Sequence, residues 1–163
     1  MKGLLEYFNK RVLLSDEETN FLINLFEKKD YGKGELLVEN GKVCSNIYFV
    51  QEGCLKTYFV KEDGEEAING IAIENNFCTS VASFVNQVTS VERIEAIEDT
   101  SVLAISYENF KILIETYPIF KEVYVKILED YLTFMTWRIE SIMIMNAKER
   151  YDTLLKNFPK LID

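Results

Sequence analysis

The stretch Ile47-Tyr48-Phe49-Val50-Gln51-Glu52-Gly53, followed by Leu55-Lys56-Thr57-Tyr58-Phe59-Val60 and then Glu62-Asp63-Gly64, reads as strand, tight turn, strand and hairpin turn. Working outward, Tyr31-Gly32-Lys33-Gly34 is a turn before a short strand Glu35-Leu36-Leu37-Val38. Asn40-Gly41 is a second turn, since both residues tolerate positive φ. Glu66 to Ile73 returns as another strand, and Ser90 to Ile97 and Val102 to Ile105 read as the last two. Many short antiparallel strands at this spacing imply a sandwich or jelly roll.

Helical patterns flank this β region. Leu4, Leu5, Phe8 and Val12 recur at helical spacing. Ser15-Asp16-Glu17-Glu18 is a capping-box signature opening a helix that carries Phe21, Leu22, Leu25 and Phe26. After the strands the period returns to 3.6: Tyr107 to Ile114 is a short helix, and Pro118 suits the first turn of the next. That helix runs to about Asn146 with Phe120, Tyr124, Ile127, Tyr131, Phe134, Ile142 and Met145 in one stripe, widened by Val123, Leu128, Met135, Ile139 and Met143. So wide an apolar surface exceeds what packing on a small roll needs and fits burial against a second copy. The alternative is one broad contact with the chain's own core. Ala147 to Leu161 reads as a final helix with Tyr151, Leu154, Leu155 and Phe158.

The fold class expected is therefore α+β, mainly β: a double-stranded β-helix or jelly roll with N-terminal helices and a long C-terminal helix. The 163 residues suit one domain with an appendage, and an apolar content near one half supports a core without disulfides or metals. A net charge of −9 repels phosphate backbones and anionic lipid. Cys44, Cys54 and Cys78 are scattered and odd in number, which fits a reducing, cytoplasmic setting. The polar N-terminus is unlike a signal peptide, and no apolar run reaches the roughly 20 residues of a membrane helix. With no histidine, haem ligation, the jelly-roll metal oxygenases and the commonest general base all drop out. An iron–sulfur cluster needs four cysteines. No catalytic activity, metal or cofactor is expected.

The order helix, roll with Tyr48-Phe49-Val50-x-x-Gly53, Asp63-Gly64 turn, Ala96-x-Glu98-Asp99-Thr100-x-Val102, Ile105-Ser106-Tyr107-x-x-Phe110, Pro118 and long amphipathic helix resembles the cyclic-AMP receptor protein / fumarate-nitrate regulator (Crp/Fnr) family over almost the whole chain. The resemblance implies a cyclic-nucleotide-binding-like sensor roll over residues 1–117, a dimerisation helix over 118–146, and the start of a C-terminal DNA-binding domain over 147–163. It implies a homodimer through Phe120, Tyr124, Ile127, Tyr131, Phe134 and Ile142, a small-molecule effector of unknown identity, DNA contact only through a C-terminal domain beyond this sequence, and no membrane.

Members that bind cyclic nucleotides supply Gly-Glu and then Arg-Ser around the phosphate, because a buried anion needs a bidentate cation and several N–H donors. Here Thr79 stands at the glycine position and Ser80 at the glutamate position, and the arginine position falls near Thr89-Ser90; Arg93 is displaced and alternates with Ile94. The resemblance thus marks a candidate effector pocket of Phe77, Cys78, Thr79, Ser80, Val81, Ala82, Ser83, Thr89 and Ser90, with Met135 and Thr136 on the long helix, that does not answer to cyclic AMP. Cys78 is a candidate redox thiol, or a small buried hydrophobe. The rival readings are a pocket filled by its own side chains, a genuine cyclic-nucleotide module, and a stand-alone dimeric interaction protein without DNA binding.

Overall fold

The computed structural model describes residues 1–157 and falls into two compact units, Met1–Lys121 and Glu122–Asp163. The first unit opens with α1 (Lys2–Asn9) and α2 (Asp16–Leu25). Eight strands follow: β1 (Glu27–Tyr31), β2 (Leu36–Val38), β3 (Asn46–Glu52), β4 (Leu55–Val60), β5 (Glu66–Ala72), β6 (Phe77–Cys78), β7 (Arg93–Ala96) and β8 (Thr100–Ser106). A short helix α3 (Val81–Asn86) sits between β6 and β7. After β8 come α4 (Tyr107–Thr116), α5 (Pro118–Ile144) and α6 (Ala147–Asn157). The expected helix end at Leu161, with Phe158, lies outside the described residues.

The strands form two antiparallel four-stranded sheets, ordered β1-β8-β3-β6 and β2-β7-β4-β5. The order interleaves early and late strands, as a jelly roll requires. Alternation places Leu55, Ile94 and Ala96 of one sheet and Tyr48, Val50, Val102 and Ala104 of the other in a common core with Val38, Cys44, Cys78 and Phe84. β3 is buried on both faces: Phe49, fully buried, turns the other way and meets the rings of Tyr7 at 5.9 Å and Phe77 at 5.0 Å, so α1 covers the back of that sheet. A Cβ at Gly3 would meet Phe49 at an ordinary 3.6 Å, with only the side-chain tip of Asn75 nearer.

The turn between β3 and β4 needs glycine. Gly53 has φ +90°, and a Cβ would lie 2.5 Å from Thr100 Oγ1 and 2.7 Å from the Asp99 carbonyl. The Ser15 capping box is present: the Glu18 N–H donates to Ser15 Oγ, and the Ser15 N–H donates to Glu18 Oε2 at 2.8 Å. Ser106 caps α4 in the same way, its Oγ accepting from the Asn109 N–H. α4 stops at Thr116 because the residue before a proline avoids the helical region, and Tyr117 is extended ahead of Pro118. Asn75, between β5 and β6, adopts φ +64°.

In the second unit α5 continues past residue 122 and α6 begins after Asn146, which caps it: Asn146 Oδ1 accepts from the Glu149 N–H at 3.0 Å and Glu149 Oε2 from the Asn146 N–H. No helix among the described residues is long and apolar enough to cross a membrane.

Candidate effector site

The segment from β6 to β7, marked from the sequence as a candidate pocket, carries a short helix. Ser80 has extended φ/ψ at the N-cap position, and Val81 to Asn86 make a single turn and a half of helix whose inward residues are Ser83 and Phe84. Gln87 closes it in the left-handed region at φ +52°. The spacing of Val81, Phe84 and Val85 after a serine was the available signal for this helix; hydroxyl-rich composition on both sides masked it. Phe84 anchors the segment, edge-on to Tyr107 at 5.4 Å and Phe110 at 5.5 Å.

Three hydroxyls of the segment are buried: Ser80, Ser83 and Ser90 are each no more than 3% exposed. Ser83 Oγ accepts from the Cys44 N–H at 2.8 Å and donates to the Val88 carbonyl. Ser90 Oγ lies 3.0 Å from Ser80 Oγ and 2.9 Å from the Glu92 carbonyl, and it accepts from the Glu92 N–H. Thr79 Oγ1 donates to the Asn46 carbonyl at 2.9 Å and lies 3.3 Å from Cys44 Sγ. Backbone bonds from Gly41 N–H to the Ser90 carbonyl and from Ser90 N–H to the Lys42 carbonyl stitch the segment to the chain before β3. The segment therefore folds onto itself and onto residues 41–46, with Cys44 and Asn46 as partners that lie more than 30 residues away in sequence.

Of the candidate pocket residues, Cys78, Ser80 and Ser83 are brought together inside the roll beside Phe84, and Ser90 joins them through Ser80. Phe77 turns to the opposite face of its sheet, against Tyr7 and Phe49, because adjacent residues of a strand point to opposite sides. It lines the α1 contact and not the pocket. Val81 and Thr79 are half-buried, while Ala82 and Thr89 are exposed. Met135 and Thr136 belong to the second unit; Thr136 Oγ1 bonds back to the Leu132 carbonyl at 2.9 Å.

The electrostatics are as telling as the geometry. No lysine or arginine occurs between Phe77 and Glu92. Arg93 pairs across β4 with Tyr58, on the face opposite the buried Ile94, so its guanidinium is not offered to the segment. The Cys78 thiol is pushed far above the ordinary thiol range, chiefly by burial and then by Cys44 and Glu92 nearby. It is the buried hydrophobe of the two readings, not a reactive thiolate.

Residues named for the helix interface divide. Phe120 is buried within the first unit, edge-on to Phe8 at 6.0 Å and Tyr117 at 6.1 Å, and is no contact surface. Phe120, in the first turn of α5, faces inward to this aromatic group. Tyr124 and Ile127 are half-buried; Tyr131, Phe134 and Ile142 are exposed.

Comparison with known proteins locates this architecture. The cyclic nucleotide-binding domain family matches residues 28–117 of the 163. An anaerobic regulatory protein of Haemophilus influenzae is 24% identical over 148 residues, 90% of this chain and 57% of the relative. The transcriptional activator protein anr of Pseudomonas aeruginosa is 26% identical over 125 residues, 77% of this chain and 50% of the relative. The chain thus spans about half the length of these curated relatives. Among solved structures, a putative regulator of the crp/fnr family from Eubacterium rectale superposes with a TM-score of 0.71 at 19% identity, covering 91% of this chain and 69% of that one. The sensor domain of the transcriptional regulator DNR from Pseudomonas aeruginosa superposes with a TM-score of 0.66 at 18% identity, covering 89% and 94%. The two interleaved sheets, the helix-bearing segment between β6 and β7 and a family match over more than half of the chain place it in the cyclic nucleotide-binding domain family.

Proposed function

We propose that this chain is the effector-sensing and dimerisation portion of a Crp/Fnr-like transcription regulator whose roll does not respond to cyclic nucleotides. The carrying observation is the hydroxyl network of Ser80, Ser83 and Ser90, satisfied by protein groups in a segment without a cation. A buried phosphodiester costs several kcal/mol unless paired and hydrogen-bonded. Here its charge would meet Glu92 as the nearest charged residue of the segment, and its oxygens would have to displace serine bonds already made.

Dimerisation through α5 rests on what that helix leaves uncovered. Val125, Leu128, Leu132, Met135, Ile139 and Ile142 follow one another at steps of three and four, the a and d positions of a heptad seam. All but the half-buried Met135 are exposed, Leu132 at 67%. β-branched Val125 and Ile139 at a, with Leu128 at d, favour two parallel strands. This seam lies about a quarter-turn from the stripe of Tyr124, Ile127, Tyr131 and Phe134, and shares Ile142 with the interface named from sequence. Effector occupancy or its equivalent would then act by changing how two such helices meet, with DNA read by a domain C-terminal to this portion.

Two measurements test the reading. Sedimentation at tens of micromolar should give a dimer, and a monomer overturns the seam. Calorimetric titration with cyclic AMP and cyclic GMP should give no binding heat; saturable heat in either case returns the roll to the cyclic-nucleotide modules.

A further inference from the structure

The four sheet edges of the roll are not equally defended. β1 carries Glu27, Lys28, Lys29 and Asp30, with ion pairs Lys28–Asp30 at 3.2 Å and Lys29–Glu27 at 3.4 Å. β2 has three residues and β6 two, too short to template a partner strand. β5 is different: seven residues at the end of its sheet, paired with β4 on one side only, reading Glu66-Ala67-Ile68-Asn69-Gly70-Ile71-Ala72. It has neither lysine nor proline, and its single charge, Glu66, is at its end. Its defence is an irregularity of register at Asn69, whose side chain is tied to Glu92.

The face beside that edge carries an aliphatic ridge next to the ion pairs of Lys56 with Glu66 and Glu95. Cross-strand pairing puts Ile68 opposite Tyr58 and Ile71 opposite Lys56, on the side of the sheet away from the core. Ile68 is 57% exposed and Ile71 46%, with Val60 also exposed on the same face. Acidic residues flank this ridge at both ends: Glu62, Asp63 and Glu65 before the strand and Glu74 after it, all exposed. Lys61 holds Glu65, which leaves Glu62, Asp63 and Glu74 without an ion pair among the described residues.

We infer that β5 is a docking edge for an extended segment of another protein, with aliphatic residues at alternate positions and basic residues at both ends. Main-chain bonds to the free edge would provide pairing, Ile68 and Ile71 would receive alternate side chains, and the flanking carboxylates would fix the ends. A second copy of the same strand is disfavoured by charge in either orientation. Antiparallel pairing sets Glu62 and Asp63 beside the partner's acidic C-terminal end, and parallel pairing sets each acidic end beside itself. The inference does not depend on the dimer seam or on what the roll senses.

The test uses the intact chain and a synthetic peptide of alternating valine and threonine with two lysines at each end. Titration followed by amide hydrogen exchange should show saturable binding with new protection confined to residues 66–72. Ile68→Lys, at an exposed site that the fold tolerates, should weaken binding about tenfold or more, as should replacing the peptide's lysines by glutamates. Absence of binding, binding indifferent to Ile68→Lys, or protection of residues 66–72 that rises with protein concentration alone would each overturn the proposal, the last by identifying the occupant as a second copy.

Discussion

The two units of this chain handle apolar residues in opposite ways. In the first, Phe49, Leu55, Ile94, Val102 and Ile105 are fully buried between or behind two sheets, and even the serines of the β6–β7 segment are withdrawn from water and satisfied. In the second, Val125, Leu128, Leu132, Ile139, Ile142, Met143 and Ile144 stand exposed along one helix. The core of the roll is closed by its own side chains, whatever its surface strands meet. A helix with that much bare aliphatic surface has not finished burying it. The difference teaches that the core of the roll is settled within one chain, whereas the proposed dimerisation would draw on surface that the helix leaves uncovered.

The largest expected effect breaks the closed side of the comparison. Phe49→Ala removes a fully buried ring that joins α1 to β3 and should cost about 3–5 kcal/mol, read as a lowered urea midpoint of the roll. A loss under 1 kcal/mol would mean that the back of the sheet is not a core. On the open side, Leu132→Glu sets an unpaired carboxylate into the seam and should abolish the sedimenting dimer, a cost of several kcal/mol to association, while the near-UV signal of the roll's tyrosines persists. A variant that stayed dimeric would move the interface off this face.

A smaller effect sharpens the description of the effector segment. Ser83→Ala leaves the buried Cys44 N–H without its acceptor and should cost about 1–3 kcal/mol in denaturant unfolding. If the variant were as stable as the parent, the hydroxyl would be available to an effector and the closed-segment reading would weaken.

The smallest effect concerns pH. The Glu18 carboxyl is held below its usual 4.5, first by the hydrogen bond from the Ser15 backbone N–H and then by the Ser15 hydroxyl. Because the folded value is the lower one, the capping box contributes fully above 4.5 and is lost as pH falls through the depressed value. The melting temperature of Glu18→Gln should lie a little below the parent's near neutrality and converge with it in acid. Parallel curves across that range would show that the capping pair is not what titrates.

Much of the fold was readable from local signals. Gly53, Gly64 and Gly41 mark turns that take φ near +90°, and the strands read at Leu55 to Val60 and Val102 to Ile105 survive within β4 and β8. The capping serine and Pro118 set helix starts where they were expected. The fragmentary elements were not readable. β6 has two residues, and it is a strand only because Tyr48 and Phe49 lie beside it. α3 is six residues long, too short to nucleate by propensity, and it exists because Phe84 is packed and Ser83 is bonded to Cys44.

By itself, then, the sequence determined the alternating strands, the turns between them, the ends of the longer helices and the absence of lysine and arginine between Phe77 and Glu92, since each depends on residues close together or on composition. Only the tertiary structure decided that Ser80, Ser83 and Ser90 are consumed internally, that Phe77 faces α1 and Phe120 joins the first unit, and that β5 is left as a bare edge. Those outcomes depend on partners tens of residues distant, and a hydrogen bond or a packed ring has an address only once the chain has brought both ends to it.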